Sequence, residues 1–181
     1  MLRFTGVVLA LSLSLVARAA TLRQLSMDQM SQDATSIIRA RVLSSSASFT
    51  GSTIYTHYKL QVSETWKGTA PAEVMLPGGA ADGYKQSFPG IPQFATGAEY
   101  VLFLWRSPST GIIHLIGLSQ GVFDVTEESD GTVVASRARI GEMMLDARGR
   151  KVTDRAIRMN LADMKAIAGR SRTGSTAGAP Q

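Results

Sequence analysis

The sequence predicts an all-β core, a small curled antiparallel barrel with one short helix before it and one after it. Three observations carry this reading. Residues 54 to 66 alternate in hydropathy over thirteen positions, Tyr100 to Trp105 are almost continuously apolar, and turn signals divide residues 36 to 136 into seven short strand-like segments. Many short strands with few helices between them indicate a β core.

The elements follow in order. Thr21 stands where a helix cap would, ahead of Leu22, Leu25 and Met30 near one face and Asp28 and Asp33 among the polar positions, so a short helix is expected within residues 20 to 35. From Ile37 the pattern changes to alternation, with Ile38, Ala40 and Val42 on one side and Arg39 and Arg41 on the other. In the 54 to 66 run, Ile54, Tyr58, Leu60, Val62 and Trp66 share the even positions with Thr56 and Glu64. At about 3.3 Å per residue that strand would span roughly 43 Å, about twice the usual length, so it must bend or cross a curled sheet.

Lys67-Gly68 ends the long strand, and Val74 to Leu76 form a short one before Pro77-Gly78-Gly79. Residues 77 to 97 hold five glycines and three prolines and read as a long structureless loop, the type of segment that often carries function. Its aromatics, Tyr84, Phe88 and Phe94, either plug one end of the barrel or form a contact surface. Tyr100 to Trp105 is expected to be a central strand buried on both faces. Ile112 to Leu118, Val122 to Thr126 and Thr132 to Ser136 complete the β core, the last two joined by Ser129-Asp130-Gly131. Two readings stand for the next segment: a helix on Ile140, Met143, Met144 and Ala147, or a hairpin turn at Asp146-Ala147-Arg148-Gly149. Asn160 caps an expected helix through Ala168, within an extension spanning 137 to 169, and residues 170 to 181 read as a disordered tail.

Residues 1 to 19 read as a secretory signal peptide, with Arg3 ahead of an apolar run from Phe4 to Val16 and small residues in Ala17-Arg18-Ala19. The apolar run is shorter than the roughly 20 residues needed to span a bilayer, so cleavage after Ala19 is expected, with no membrane span retained and a secreted or periplasmic product. The chain has no cysteine, which excludes disulfides, thiolate metal sites and a cysteine nucleophile and favours a bacterial exported protein. The net charge of +5 is uneven: −3 over residues 20 to 136, +6 over residues 137 to 181 and +2 in the signal. A basic end of this kind solubilises, or it touches an anionic surface such as phospholipid or polyanionic glycan.

Gly117-Leu118-Ser119-Gln120-Gly121 matches the Gly-x-Ser-x-Gly nucleophile elbow. That elbow requires a strand, a sharp turn and then a helix, with the catalytic histidine later in the chain; here a strand follows, and His57 and His114 both come earlier. The motif reads as a glycine-bracketed bend. Two histidines without local ligand spacing do not make a zinc site. His57 reads as solvated, and His114, on a face with Ile112 and Ile116, as partly buried and hydrogen-bonded. Asp124, Glu127, Glu128 and Asp130 lack the order of a calcium loop and read as a solvated turn, and the Gly78-Gly79 segment is no phosphate cradle. No catalytic, cofactor-binding or metal residue is assigned.

The short helix ahead of Ile37-Ile38-Arg39-Ala40-Arg41-Val42, the strand end Glu64-Thr65-Trp66-Lys67-Gly68 and the stretch from Phe94-Ala95-Thr96-Gly97 to Leu104 resemble the netrin and tissue-inhibitor-of-metalloprotease type of domain, also seen in secreted bacterial proteins. The resemblance covers most of residues 36 to 136 and implies a Greek-key barrel of the OB type, with binding on a sheet face or its loops. The family's cysteines are absent, including the N-terminal one that chelates the protease zinc, so inhibition by that route is not implied. The expected function is an exported noncatalytic binding or accessory domain for a protein or glycan partner, with Tyr84, Phe88 and Phe94 as the contact loop. A small secreted hydrolase using Gly117, Ser119 and Gly121 is the alternative. Single-stranded nucleic acid suits neither the export signal nor the acidic body.

Overall fold

The computed structural model describes residues 20 to 170; the expected signal peptide, residues 1 to 19, and residues 171 to 181 of the expected disordered tail lie outside the described residues. It is β-rich, with two helices. The first helix, α1 (Met27–Asp33), does not start at Thr21. Thr21–Arg23 is a strand, β1, and Ser26 caps α1 in a reciprocal capping box, its Oγ accepting from Gln29 N while Ser26 N donates to Gln29 Oε1.

A long hairpin follows, β2 (Ser36–Thr50) and β3 (Thr53–Lys67), flanked by β4 (Glu73–Pro77). The segment after β4 is not structureless: it contains a small hairpin, β5 (Gly79–Ala81) and β6 (Tyr84–Gln86). Asp82 and Gly83 both have positive φ, 50° and 79°, as a two-residue turn between paired strands demands. β7 (Glu99–Arg106), β8 (Ile113–Leu115), β9 (Val122–Glu127) and β10 (Val133–Arg137) then build the middle of the sheet. β8 keeps only three of the seven residues expected of it.

In the C-terminal region the hairpin reading holds, because β11 (Met143–Leu145) and β12 (Lys151–Val152) pair across the Asp146–Gly149 turn. β13 (Ile157–Asn160) leads into α2 (Leu161–Arg170), where Asn160 Oδ1 caps by accepting from Ala162 N at 2.8 Å. The expected boundary at residue 136 cuts across the main sheet, since β13 pairs with β10.

The main sheet runs β13-β10-β9-β7-β2-β3-β4, with β8 attached to β7. Pairing is antiparallel throughout except between β1 and β11, which lie parallel in a separate three-stranded sheet. In place of the expected closed barrel the sheet curls and stays open: β4 and β8 approach each other, yet no ladder joins them among the described residues. Both strands are short, and Pro77 removes a donor from the end of β4, which blunts that edge.

The curl creates two cores. Tyr100, Leu102 and Leu104 of β7 face inward with Ile38, Tyr58 and Phe94, whereas Val101 and Phe103 face outward under α1 and α2 with Met30, Trp66 and Met164. This double burial explains the continuous apolar run of β7. β3 changes face part-way. Between Arg39↔Glu64 and Ala40↔Val62 the register shifts, leaving Ser63 as an extra residue. A bulge of one residue sends later side chains to the opposite face, so Trp66 joins the helix side while Tyr58 and Leu60 stay inside the curl.

Candidate functional site

The three loop aromatics part company. Phe94 is a plug, 6% exposed, with its ring 4.8 Å from Tyr58 and 4.9 Å from Tyr100. The two tyrosine hydroxyls accept from Phe94 N and Ala95 N, which pins the loop into the curl and takes Phe94 out of the expected contact surface. Tyr84 and Phe88 are outside, 68% and 41% exposed.

Tyr84 stands on the β5–β6 hairpin, which lies across the tip of the β2–β3 hairpin and brings Tyr84 against Phe49. The rings meet edge to face at 6.0 Å, and Phe49 is itself 37% exposed. Phe88 stands at the base, near Gly78, and forms no ring pair with the other two among the described residues.

The hairpin contact is tightly pinned. Gln86 bridges it, Oε1 accepting from Ile54 N at 2.7 Å and Nε2 donating to Ser52 O at 2.9 Å. Thr56 Oγ1 donates to Gly78 O, and Gly78 N donates to Ile54 O, both at 2.7 Å. A Cβ at Gly79 would lie 2.4 Å from Thr56 Oγ1, so only glycine permits the close approach. The exposed ring pair therefore stands on a scaffold held by both chains of the crossing.

The Gly117–Gly121 segment is a structural turn. Leu118–Gly121 form a single 3-10 turn that leads directly into β9, not a helix. Ser119 Oγ donates to Gly90 O at 2.6 Å, tying this turn to the 88–98 loop. A Cβ at Gly121 would come within 2.4 Å of Ile116 O. Both the serine and the glycine thus have local structural work, with no histidine beside them.

His57 is not simply solvated: its Nδ1 lies 2.7 Å from Glu73 Oε1 across the β3–β4 pair. His114 is exposed, contrary to the buried, hydrogen-bonded expectation, because β8 is an edge strand; its ring lies over Trp105 at 5.7 Å. Around the acidic hairpin, Glu128 pairs with Arg158, and Asp130 Oδ1 accepts from Thr132 N, which holds the Asp130 carboxyl below its ordinary range. No group of three or more metal-ligating side chains converges among the described residues.

Charge is organised on the outer sheet face. Arg39 donates through Nε and Nη2 to Glu99 and through Nη1 to Glu64, while Arg41 lies 3.7 Å from Glu99. Part of the basic C-terminal quarter is neutralised: Lys165 pairs with Glu64 and Arg158 with Glu128 of the acidic body, while Arg137 pairs with Asp154 and Arg150 with Asp146 inside the quarter itself. Lys165 above all, with Trp66 Nε1 and Arg39 adding further hydrogen bonds against the opposing effect of burial, lowers the Glu64 carboxyl from 4.5 to about 2. A carboxyl lowered by folding stabilises fully above 4.5, and that stability is lost as pH falls from there through about 2. Urea midpoints should therefore drop across this window, and Glu64→Gln should flatten the drop; an unchanged profile would remove Glu64 as its source.

Phe49 and Gln86 were not legible as site residues, since their roles arise where two hairpins cross. The hairpin itself had a signal, the Asp82-Gly83 dipeptide between strand-like segments. No protein-family model matches the chain, and no curated protein matches it.

Proposed function

We propose that this chain is an exported, noncatalytic binding or accessory domain that meets a glycan or protein partner through the crossing of its two hairpins. One observation carries the reading: Tyr84 and Phe49 form an exposed ring pair on backbone pinned by Gln86, Thr56 and Gly79. Exposed aromatics held rigid lose little entropy on contact and offer large apolar area, the property that makes tyrosine an anchor at interfaces.

The netrin-like resemblance and a Greek-key arrangement of the OB type belong to this proposal. They are supported by the curled antiparallel β2–β3–β4 meander, the return of β7 beside β2, and the helix ahead of β2. Export through the segment ending at Ala19 belongs to it as well.

The test is retention on a panel of immobilised bacterial polysaccharides and envelope proteins. A double variant, Phe49→Ser with Tyr84→Ser, should lose retention while its melting temperature stays near that of the parent, because both rings are outside the cores. Retention unchanged in the double variant would sink the reading. The hydrolase alternative has its own arm: labelling of Ser119 by a fluorophosphonate, abolished in Ser119→Ala, would replace binding by catalysis.

A second reading, contact with an anionic surface, keeps one observation in its favour. Arg139, Arg148, Lys151 and Arg155 are exposed and pair with no acidic side chain among the described residues. Its mark would be retention on anionic vesicles that salt abolishes.

A further inference from the structure

At the end of the β2–β3 hairpin opposite the aromatic tip, the sheet opens into a cleft of about 310 Å³. It lies where β2 begins, β3 ends and β7 hands over to the 107–112 turn. Leu104, Pro71, Pro108 and Ile113 supply apolar wall, and Thr35, Ser36, Thr69 and Arg106 supply polar groups. We propose that this cleft binds a small organic anion with a compact apolar body, the charged head held by Arg106.

The size is right for a small ligand, at the lower end of the roughly 300–1,000 Å³ typical of such sites. The walls are preformed. Thr35 N donates to Leu104 O at 2.8 Å, and Arg106 N donates to Thr35 Oγ1 at 2.8 Å, locking the start of β2 to the end of β7. The turn that carries Pro108 is closed by Gly111 N to Ser107 O and Ser107 N to Ile112 O, at 2.8 and 2.9 Å. On the opposite wall Gly68, with φ of 64°, approaches so closely that a Cβ would lie 1.9 Å from Thr35 O. A bound molecule would therefore meet a fixed shape.

The charge and the polar accounting point to an anion. Arg106 uses Nη1 to donate to Gly111 O at 2.8 Å, which steadies the side chain, and pairs with no carboxylate among the described residues. Its remaining guanidinium donors form the planar fork that suits a carboxylate or phosphate. Arg39 and Arg41, by contrast, are already held by glutamates. Ser36 lines the same cleft, but its hydroxyl is closed off from the cleft's solvent, so recognition of the anion falls to Arg106. An apolar wall with one uncompensated cation selects an amphipathic anion over a sugar, which would need several paired hydroxyl partners.

The probe is octanoate, titrated by calorimetry and by amide NMR into the mature chain, with octylammonium as the charge-reversed control. Octanoate should saturate one site and shift amide signals at Thr35, Thr69 and Ile113, whereas octylammonium should not. Arg106→Gln keeps a donor for Gly111 O but loses the charge; it should weaken octanoate by about tenfold or more, the equivalent of one charge-assisted hydrogen bond, without moving the melting temperature. Thr69→Phe, on the exposed rim, should weaken octanoate by filling the cleft. Equal binding of octylammonium, unchanged affinity in Arg106→Gln, or no saturation at roughly millimolar octanoate would overturn the assignment. The Phe49 and Tyr84 double variant should bind octanoate normally, which keeps this site's outcome separate from that of the aromatic tip.

Discussion

Asp154→Ala should destabilise the protein by about 3–5 kcal/mol, the cost of leaving a buried charge without its partner. Asp154 and Arg137 are 4% and 8% exposed in their side chains. The carboxylate accepts from Arg137 Nη2 through both oxygens at 2.9 and 3.1 Å and from Ile140 N at 2.8 Å. Burial pulls the Arg137 guanidinium below its usual value, and Asp154 works against that pull. Removing Asp154 leaves the guanidinium with only the Gln120 carbonyl at 3.3 Å and the Phe123 ring beneath it. Urea unfolding at neutral pH measures the loss. The double variant Arg137→Met with Asp154→Leu should recover most of it, because an apolar pair of similar volume avoids the desolvation cost. A near-neutral Asp154→Ala would mean that water reaches Arg137. The effect should spread beyond the pair, since Gln120 also holds the N-terminal segment: its Oε1 accepts from Leu25 N and its Nε2 donates to Arg23 O, each at 2.9 Å.

Trp66→Ala should cost about 3–5 kcal/mol, as for other large aromatic truncations in a core. The ring is 5% exposed and belongs to the outer core with Met30, Ile37, Phe103 and Met164, where the two helices meet the sheet. Its Nε1 also donates to Glu64 Oε2 at 3.1 Å, so the truncation opens a cavity and loosens the charge network together. Trp66→Phe separates these effects. It keeps an aromatic ring and loses the donor, and should retain most of the stability. The measurement is again urea unfolding, with near-ultraviolet dichroism reporting the packing. A shift of less than about 1 kcal/mol in Trp66→Ala would show that the outer core closes without the ring.

Some of this protein was written plainly in its sequence. Alternation from Ile54 to Trp66 marked β3, the unbroken apolar run marked β7 as central, and Asn160 marked the start of α2, each because neighbours in the chain set the backbone's period. The strand following Ser119 was enough to read that serine as a bend. Two further features carry local signals of the same kind: Ser26 with Gln29 is a capping box, and Asp82-Gly83 is a hairpin turn. The rest was not local. Trp66 shares parity with Leu60, and the two side chains enter different cores because β3 carries extra residues against β2, Ser63 and then Trp66 itself, visible once the strands are paired. By sequence Arg137 belongs to a basic end; in the fold it is buried at the end of β10 against Asp154, which lies in the segment between β12 and β13. Phe94 and Tyr84 lie within one stretch, residues 77 to 97, yet one is a plug and the other is exposed, because a pair of tyrosines packs the first inside the curl, whereas the second, on β6, meets the ring of Phe49 outside it. Periodicity is a property of adjacent residues and survives in the sequence. Register, face and charge partner depend on which distant segments pair, and those are chosen by the summed burial of the whole chain.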